Sequence, residues 1–550
     1  MSDPSPCLRI CTAASCRSRG AEGLRQHSLR AAAAAAGIVR VKGVGCLGPC
    51  SEGPLLAIDA DGSTRLYGLS ALQDRRARSG VNNSANNGNP RLAVSAITAT
   101  LEATIAGCSG AALEQALSQW EPPEGLAIPA DDPFLALQRR LVLARCGRID
   151  PAQIDDALAA GAYQQLAGVL QRNAPAAVIA LLQRSSLRGR GGAGYPTGLK
   201  WAAVAAMAGT NKVVVCNADE GDPGAFMDRT VLEGDPHAVL EGMAIAAHAV
   251  GAERGYIYVR AEYPLAIARL RRAIAQAEQR GWLGTAIGGS SLSVQLELRV
   301  GAGAYVCGEE TALIHSIEGG RGTPRPRPPY PAEQGVFGLP TLINNVETFA
   351  TIPPLLQLGP EAYGPGTKVF SLTGQVRRSG VLEVPMGTSL RTIVTSMGGG
   401  APAGHRIKAV QTGGPSGGCI PASALDTPVD DSRLQALGSI LGSGGLVVLD
   451  ERTNMVDIAA FFMAFCREES CGKCIPCRAG TVQLELLLRK LLERRGSLAD
   501  LSELERLCSV VSNASLCGLG QSAPRPVLST LRHFRDDYLA LLGAPAEPVR

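Results

Sequence analysis

A run of closely spaced cysteines sets the strongest limit on how the C-terminal part of this chain folds. Cys471, Cys474 and Cys477 stand at intervals of three residues in "ESCGKCIPCRAG". This spacing holds three thiolates close together, and a [4Fe–4S] cluster needs four such ligands. The fourth can come from a distant part of the chain, and Cys517 in "NASLCGLGQ" fits because it sits in a short loop, whereas Cys508 lies within a helical pattern typical of a core residue. Zinc sites usually pair CxxC with a second CxxC or with two histidines, which are missing here, so the spacing predicts a [4Fe–4S] site.

The N-terminal segment carries a second group of cysteines. Cys11 and Cys16 form a C-x4-C pair, and Cys46 and Cys50 form a C-x3-C pair. Two such pairs can hold a [2Fe–2S] cluster, each pair binding mainly one iron, but a four-cysteine zinc site or redox thiols fit the spacing equally well. Cys7 is a fifth thiol, and we interpret it as the extra one because the other four lie in tight loops of small residues.

Composition limits the class of protein. The chain has 550 residues, so several domains are expected. Its net charge is +4, from 53 basic and 49 acidic side chains, and only 4% of residues are aromatic, so nothing suggests a nucleic-acid partner. The 16 cysteines are clustered, which indicates metal or redox chemistry in a reducing compartment. No signal peptide and no apolar run of about 18 residues is visible, so we expect a soluble cytoplasmic chain with no transmembrane segment.

The order of predicted elements divides the chain into five parts. A small α/β unit is followed by a polar, Asn- and Gly-rich linker with helices, then by alternating helices and strands typical of a parallel sheet, then by a glycine-rich mixed α+β segment, and finally by helices. The predicted boundaries are 1–75, 76–130, 131–365, 366–453 and 454–550.

Three loops in the alternating part have the composition of a nucleotide site. "LRGRGGAGYPTGLKW" matches GxGxxG formally but follows a helix, so it is not the ordinary Rossmann turn; its glycines still allow close approach of a flat or charged ligand. "CNADEGDPGAFMDR" and "GAGAYVCGEETAL" place acidic and amide side chains after buried strands, where ligands bind in open parallel sheets. Since a flavin exchanges both hydride and single electrons, a chain with nucleotide loops and clusters is expected to carry one.

These motifs, together with "PTLINNVET" and "ESCGKCIPCRAG", resemble those of the family of NADH-binding, FMN-containing subunits. That family includes the 51-kDa subunit of respiratory complex I and the diaphorase subunits of NAD-linked formate dehydrogenases and hydrogenases. The segments "CTAASC" and "GVGCLGPCSEGPL" resemble the thioredoxin-like [2Fe–2S] domain of the 24-kDa partner subunit. With "GGPSGGCIPA" and "SLCGLGQSAP", the fusion is most similar to diaphorase subunits of bidirectional NAD-reducing [NiFe] hydrogenases.

The resemblance implies a multidomain α/β fold. Its parts are an N-terminal thioredoxin-like [2Fe–2S] domain, a Rossmann-like FMN- and NADH-binding domain, a ubiquitin-like β-grasp insert and a C-terminal helical bundle with the [4Fe–4S] cluster. The implied function is an NADH:acceptor oxidoreductase that exchanges hydride between NAD(H) and FMN and single electrons with the clusters. Its partners are an iron–sulfur relay subunit and [NiFe] hydrogenase subunits. The alternatives are the same role in formate dehydrogenase or complex I, and a zinc-bearing scaffold with a vestigial nucleotide fold.

The resemblance also assigns residues. No side chain is catalytic, because hydride transfer is carried by FMN. The adenine would lie near Tyr195 and Tyr330, and Glu310 would bind the adenosine ribose, so that NAD(H) is preferred over NADP(H). The implied cofactor-binding residues are Gly189, Arg190, Gly191, Gly192, Gly194, Tyr195, Lys200, Asn217, Asp219, Glu220, Asp222, Gly308, Glu309, Glu310, Tyr330, Asn344 and Asn345. The implied cluster ligands are Cys471, Cys474, Cys477 and Cys517, with Cys11, Cys16, Cys46 and Cys50 for [2Fe–2S].

Overall fold

The computed structural model describes residues 6–34, 39–68, 100–101, 103–105, 111–120, 127–209 and 211–542. The linker predicted at 76–91, and Cys108, lie outside these residues. The described chain forms three β-sheets and a C-terminal group of helices, so the predicted mixed α/β architecture is confirmed. None of the helices in these ranges is both long and apolar enough to cross a membrane.

The N-terminal part contains a five-stranded sheet. Its strands are β1 (Cys7–Cys11), β2 (Arg40–Val44), β3 (Leu55–Ala60), β4 (Ser63–Gly68) and β5 (Ala127–Ile128). In space they lie in the order β2–β1–β3–β4–β5; β1 and β2 are parallel, and the other pairs are antiparallel. The helices of this part are α1 (Ala14–Ser18), α2 (Ala21–Ala34) and α3 (Ala111–Gln119). Each cysteine pair begins where one of the two parallel strands ends, so both thiol loops emerge at the same edge of the sheet.

The second sheet is the parallel one predicted from the alternating pattern, and the structure confirms it. Its strands are β6 (Lys212–Ala218), β7 (Ala252–Arg260), β8 (Gln295–Gly301) and β9 (Thr341–Asn345), in the order β8–β7–β6–β9. The helices along this part of the chain are α4 (Pro133–Ala136), α5 (Ile154–Ala159), α6 (Gln164–Arg172), α7 (Pro175–Arg184), α8 (Thr197–Ala205), α9 (Met227–Gly234), α10 (Pro236–Val250), α11 (Pro264–Gln279), α12 (Glu310–Ile317) and α13 (Val346–Tyr363).

Local sequence explains the central helix α10. Asp235 caps its first turn by accepting a hydrogen bond from the Ala238 backbone N–H at 3.1 Å. Pro236 occupies the first helical position, where no backbone donor is needed. Gly251 ends the helix in the left-handed region, with φ of 76°. Every residue of α10 is buried, so the helix lies within the core rather than on the surface.

The strand order creates a crevice for a ligand. The chain leaves β6 to form β7 and β8 on one side, and β9 then pairs with the other side of β6. In such sheets, ligands bind beyond the carboxyl ends of the strands where the order reverses. The register pairs Asn217 with Asn345 and Cys216 with Asn344, so two of the predicted polar loops begin at this edge.

The third sheet and the C-terminal helices complete the fold. The strands are β10 (Thr367–Gly374), β11 (Gly380–Pro385), β12 (Ile407–Thr412), β13 (Gly418–Pro421) and β14 (Gly445–Asp450), in the order β11–β10–β14–β12–β13. The helices are α14 (Asp431–Ala436), α15 (Met455–Glu468), α16 (Ile475–Leu492), α17 (Leu498–Ala514), α18 (Gly518–Ser522), α19 (Arg525–His533) and α20 (Arg535–Leu539). Cys508 lies in the leucine-rich core of these helices, as predicted.

Candidate functional site

A cleft of about 330 Å³ opens at the reversal point of the parallel sheet. It is lined by glycines and polar side chains from the second sheet, by loops of the third sheet, and by the C-terminal helices. Nine of the predicted cofactor-binding residues line it: Gly191, Gly192, Asn217, Asp219, Glu220, Asp222, Gly308, Glu309 and Asn345.

Asn217 holds two of the predicted loops together. Its Nδ2 donates to the Gly308 carbonyl at 2.9 Å, and its Oδ1 accepts from the Asp219 backbone N–H at 3.1 Å. The loop after β6 is therefore joined to the loop before α12. Both polar atoms of the Asn217 side-chain amide are engaged within the protein, which makes it a residue that shapes the cleft wall.

Asp219 is a buried carboxylate of the cleft with one unpartnered oxygen. Its side chain is 1% exposed, and the Arg260 Nη1 lies 3.9 Å from Oδ1, while Oδ2 has no hydrogen-bond partner among the described residues. Burial raises the pKa of Asp219 to about 7, and Arg260 only partly offsets this effect. A buried carboxyl with a free oxygen, in a residue that lines the cleft, fits a ligand that supplies hydroxyl donors.

The other acidic residues of this loop are held by the protein itself. Asp222 accepts hydrogen bonds from the Tyr305 hydroxyl at 2.8 Å and the Ser443 hydroxyl at 2.5 Å. Glu220 accepts from the backbone N–H groups of Asp228 and Arg229, both at 3.0 Å. Glu220 thereby caps the start of α9, so its carboxylate satisfies backbone donors as well as lining the cleft.

The glycine loop forms one wall. Gly192 has φ of 110° and Gly194 has φ of 63°, conformations that other residues adopt only under strain. A Cβ on Gly191 would lie 3.0 Å from the Asn345 Cβ, so a side chain there would press on the start of α13. The loop leaves backbone at the cleft surface, and such a wall fits the close approach of a flat or phosphorylated ligand.

Two predicted residues, Lys200 and Glu310, are not part of the cleft wall. Lys200 forms an ion pair with Glu310 and donates to the Ile343 carbonyl at 2.8 Å. Arg327 pairs with Glu309 and lies 3.6 Å from Glu310 Oε2. The acidic pair at the start of α12, Glu309 and Glu310, is thus neutralised by two cations. A lysine predicted to attract anions has its charge balanced by a neighbouring carboxylate.

Five more predicted positions lie deeper or further out. Arg190 is buried, and its Nη2 donates to the Tyr363 hydroxyl at 3.4 Å. The Asn344 Oδ1 accepts from the Trp201 indole at 2.9 Å. Tyr195 and Tyr330 are each 53% exposed, so their rings are free to stack against a ligand at the surface. Gly189, the remaining member of the loop, closes it by donating to the Tyr195 carbonyl at 2.9 Å.

The structure brings Cys471, Cys474, Cys477 and Cys517 together around one small cavity. The other residues that line it are Val306, Pro324, Ser470, Lys473, Leu516 and Leu519, with no histidine or carboxylate among them. Burial raises the pKa of Cys477 to about 11, so iron must displace a proton there. Four thiols around one small, mostly apolar pocket are the donor set of a [4Fe–4S] cluster, and they fit it better than a mixed Cys/His zinc site.

The N-terminal thiols also meet. Cys46 Sγ lies 3.7 Å from Cys50 Sγ, and Cys11 is within hydrogen-bonding reach of Cys16 and Cys46. Cys7 lies at the opposite end of β1, about 13 Å away along the strand, beside Lys42 and Asp59. The donor set is therefore four thiols from two loops, with Cys7 apart from it.

Residues of the third sheet and the C-terminal helices complete the cleft, and the sequence analysis did not assign them. Ser416 and Ser443 line it, and the Arg525 Nη1 donates to the Ser416 carbonyl at 3.0 Å. Tyr305 joins the cleft to the cavity of Cys471. Its backbone N–H donates to the side chain of Glu469, two residues before that cysteine, at 2.9 Å. The glycine-rich segment "TGGPSGG" is a sequence feature that could have indicated a ligand loop at Ser416. The sequence around Arg525 has no such feature.

Known protein families match this chain over the nucleotide cleft and over the C-terminal cysteine segment. Residues 182–354 match the Nuo51 FMN-binding domain, and residues 457–541 match the NADH-ubiquinone oxidoreductase-F iron-sulfur binding region. The NADP-reducing hydrogenase subunit HndC of Solidesulfovibrio fructosivorans is 51% identical over 410 residues, covering 73% of this chain and 83% of that protein. The F 2 subunit of NADH-quinone oxidoreductase from Rhizobium meliloti is 45% identical over 390 residues, covering 70% of this chain and 92% of that protein. The structure is similar to that of an NAD+-reducing [NiFe]-hydrogenase in the H2-reduced state, with a TM-score of 0.65 and 29% identity over 100% of this chain and 86% of that one.

Proposed function

This chain belongs to the family of FMN-binding, iron–sulfur subunits that includes hydrogenase subunit HndC and the corresponding subunits of NADH-quinone oxidoreductases, and on this premise we propose that it is the diaphorase subunit of an NAD-linked hydrogenase. It is an oxidoreductase subunit, and the site that activates hydrogen belongs to other polypeptides. The same role on a formate dehydrogenase or in complex I is the alternative, and two solved structures that the chain resembles over its full length, both of an NAD+-reducing [NiFe]-hydrogenase, favour the hydrogenase role.

One observation carries this proposal: the nucleotide cleft and the four-cysteine cavity share a wall. Val306 and Leu519 line both spaces. Glu469, next to the cysteine segment, also holds the Tyr305 backbone in the cleft loop. A bound flavin supplies the link between nicotinamide and iron, because it exchanges both electron pairs and single electrons.

The chain's own residues hold and orient the ligands. We propose that Gly191 and Gly192 offer backbone to FMN, and that Asp219 accepts hydrogen bonds from its ribityl hydroxyls. Asn217 near the end of β6 and Asn345 at the end of β9 fix the shape of the cleft wall. The Asn217 side chain donates to the Gly308 carbonyl, and the Asn345 side chain donates to the Asp228 carboxylate. Glu220, Asp222, Gly308 and Glu309 also line the cleft. The remaining predicted residues of the glycine loop and its surroundings, Gly189, Arg190, Gly194, Lys200 and Asn344, support this wall from behind or at its rim.

The coenzyme is proposed to be NAD(H), with its adenine near Tyr195 and Tyr330 and its adenosine ribose at Glu310. A carboxylate at Glu310 repels a 2′-phosphate. NADP(H) is the second candidate, because Arg327 and Lys200 neutralise Glu310, and because HndC is described as NADP-reducing. The relative kcat/KM for NADH and NADPH decides between them.

The finer domain assignments are also proposals. Residues 1–75 are proposed to form a thioredoxin-like [2Fe–2S] domain, supported by the four thiols that meet at one sheet edge. Residues 131–365 are the proposed FMN and NADH domain, 366–453 the β-grasp domain and 454–550 the helical [4Fe–4S] domain. The partners are proposed to be an iron–sulfur relay subunit and [NiFe] subunits in the cytoplasm.

Analysis of the purified protein for flavin, iron, sulfide and zinc, with low-temperature EPR after reduction by NADH, tests the proposal. We expect one FMN, iron and sulfide equal to one four-iron plus one two-iron cluster, and EPR signals from both. A colourless protein that contains zinc and no flavin would show that it is a scaffold. Subunits that co-purify with it identify the terminal module.

A further inference from the structure

A buried arginine from the nucleotide-binding part reaches the N-terminal thiol site. Arg269 lies on α11, is 9% exposed, and its Nη2 donates to the Thr12 hydroxyl at 2.7 Å and to the Thr12 carbonyl at 3.4 Å. Thr12 directly follows Cys11. Burial lowers the pKa of Arg269, and the nearby carboxylates of Glu233 and Asp150 partly offset this effect. A cation of the second sheet's helices is therefore part of the surroundings of the first thiol pair.

A buried carboxylate meets the same loop from the neighbouring helix. Glu233 lies near the end of α9 and is 2% exposed. Its Oε2 accepts a hydrogen bond from the Ala14 backbone N–H at 3.0 Å, between Cys11 and Cys16. Arg269 also donates to the Glu233 carbonyl oxygen, so the two groups form one unit that supports the loop.

The backbone geometry keeps these charges in place. Gly45, one residue before Cys46, packs against Gly234 so closely that a Cβ on Gly45 would overlap the Gly234 Cα. The other thiol loop is held by the third sheet, where the Val381 N–H donates to the Gly48 carbonyl at 3.2 Å. Charges fixed in a buried junction act on a neighbouring group far more strongly than charges on the surface.

We propose that Arg269 and Glu233 set the reduction potential of the N-terminal thiol-bound cluster, with opposite signs. This rests on the proposed [2Fe–2S] assignment. Reduction adds one electron to the site and no proton, so the site gains one negative charge. Arg269 stabilises that added charge, and Glu233 opposes it. Both are positioning residues, because they contact the ligand loop and not the iron.

An EPR-monitored redox titration of the whole protein tests this with Arg269→Gln and Glu233→Gln. Both replacements can still hydrogen-bond to Thr12 or Ala14. At the wild-type midpoint potential, we expect the reduced-to-oxidised ratio of the [2Fe–2S] cluster to fall about tenfold in Arg269→Gln, which is a shift of about 59 mV to lower potential. In Glu233→Gln we expect the same ratio to rise. Arg272→Gln, an exposed arginine on the same helix, removes the same charge and should leave the potential unchanged. The [4Fe–4S] signal is the internal reference.

The outcomes separate the two proposals. Absence of any [2Fe–2S] signal and of its iron in the wild type would refute the cluster assignment itself. If the midpoint potential of the [2Fe–2S] signal stays at the wild-type value in both variants, or shifts in the same direction in both, the role of Arg269 and Glu233 is overturned while the cluster assignment stands. If Arg269→Gln does not retain the cluster, Arg269→Lys must keep the wild-type potential and Glu233→Gln must still raise it; failure of either also overturns the proposal.

Discussion

Replacement of Asp219 by Asn should make the flavin-free protein more stable, and increasingly so as pH rises. Burial raises the pKa of Asp219 from 3.8 to about 7, so the folded chain binds this proton more tightly than the unfolded chain. Stability is therefore lost as pH rises from the lower value to the higher, and the whole penalty is present above about pH 7. Since a tenfold difference in proton affinity is worth 1.36 kcal/mol, the ionised carboxylate costs about 4 kcal/mol at about pH 8.

The assay is denaturant unfolding of the flavin-free protein at several values between about pH 5 and pH 8. Asp219→Asn should gain about 4 kcal/mol over wild type at the top of this range and less than half of that at the bottom. Arg260 keeps Glu262 as its partner at 2.7 Å, so the substitution does not leave that cation unpaired.

Asp155→Asn is the matched control, because the Asp155 side chain is 66% exposed and pairs with Arg280 at the surface. It should show no such trend with pH. The same Asp219→Asn variant should bind FMN more weakly, since the proposed ribityl acceptor loses its charge. A stability gain that does not change with pH, or a loss at the alkaline end, would refute the reasoning.

Three further substitutions have defined outcomes. Glu310→Gln should lower the NADH-over-NADPH preference in kcat/KM about tenfold, because it removes the repulsion of a 2′-phosphate; an unchanged ratio contradicts the assignment. Cys474→Ser should keep NADH-dependent reduction of a two-electron dye but lose the [4Fe–4S] EPR signal and H2-dependent NAD reduction; normal H2-dependent reduction would disprove the ligand role. Lys368→Met should destabilise the protein by about 3–5 kcal/mol in denaturant unfolding, because it leaves the fully buried Glu347 without its ion-pair partner.

Each of these has a control in the same chain. Cys508→Ser alters a buried thiol in the helical core and should retain both cluster signals. The double variant Lys368→Met/Glu347→Leu should recover most of the stability lost by Lys368→Met alone, because no buried charge then remains unpaired. Lys490→Met, which breaks a partly exposed pair with Asp500, should cost much less. FMN content must be unchanged in Glu310→Gln for its coenzyme preference to be interpreted.

The sequence by itself determined the features that depend on local spacing. Three cysteines at intervals of three must lie close together at a helix start, whatever the rest of the fold does. Alternating apolar strands and amphipathic helices favoured a parallel sheet, and the structure has one. The fourth thiol, Cys517, could be named because loop cysteines outside the core are few in this region.

Only the tertiary structure decided which charges act and which are neutralised. Lys200 looked like an anion-binding residue in sequence, yet Glu310 balances its charge from 110 positions away. Glu220 looked like a ligand group and also caps α9. Nothing in the sequence pointed to Arg269, because it lies 257 positions from the Thr12 that it contacts. Spacing along the chain sets geometry within a turn or two, whereas burial and neutralisation depend on which distant segments pack together.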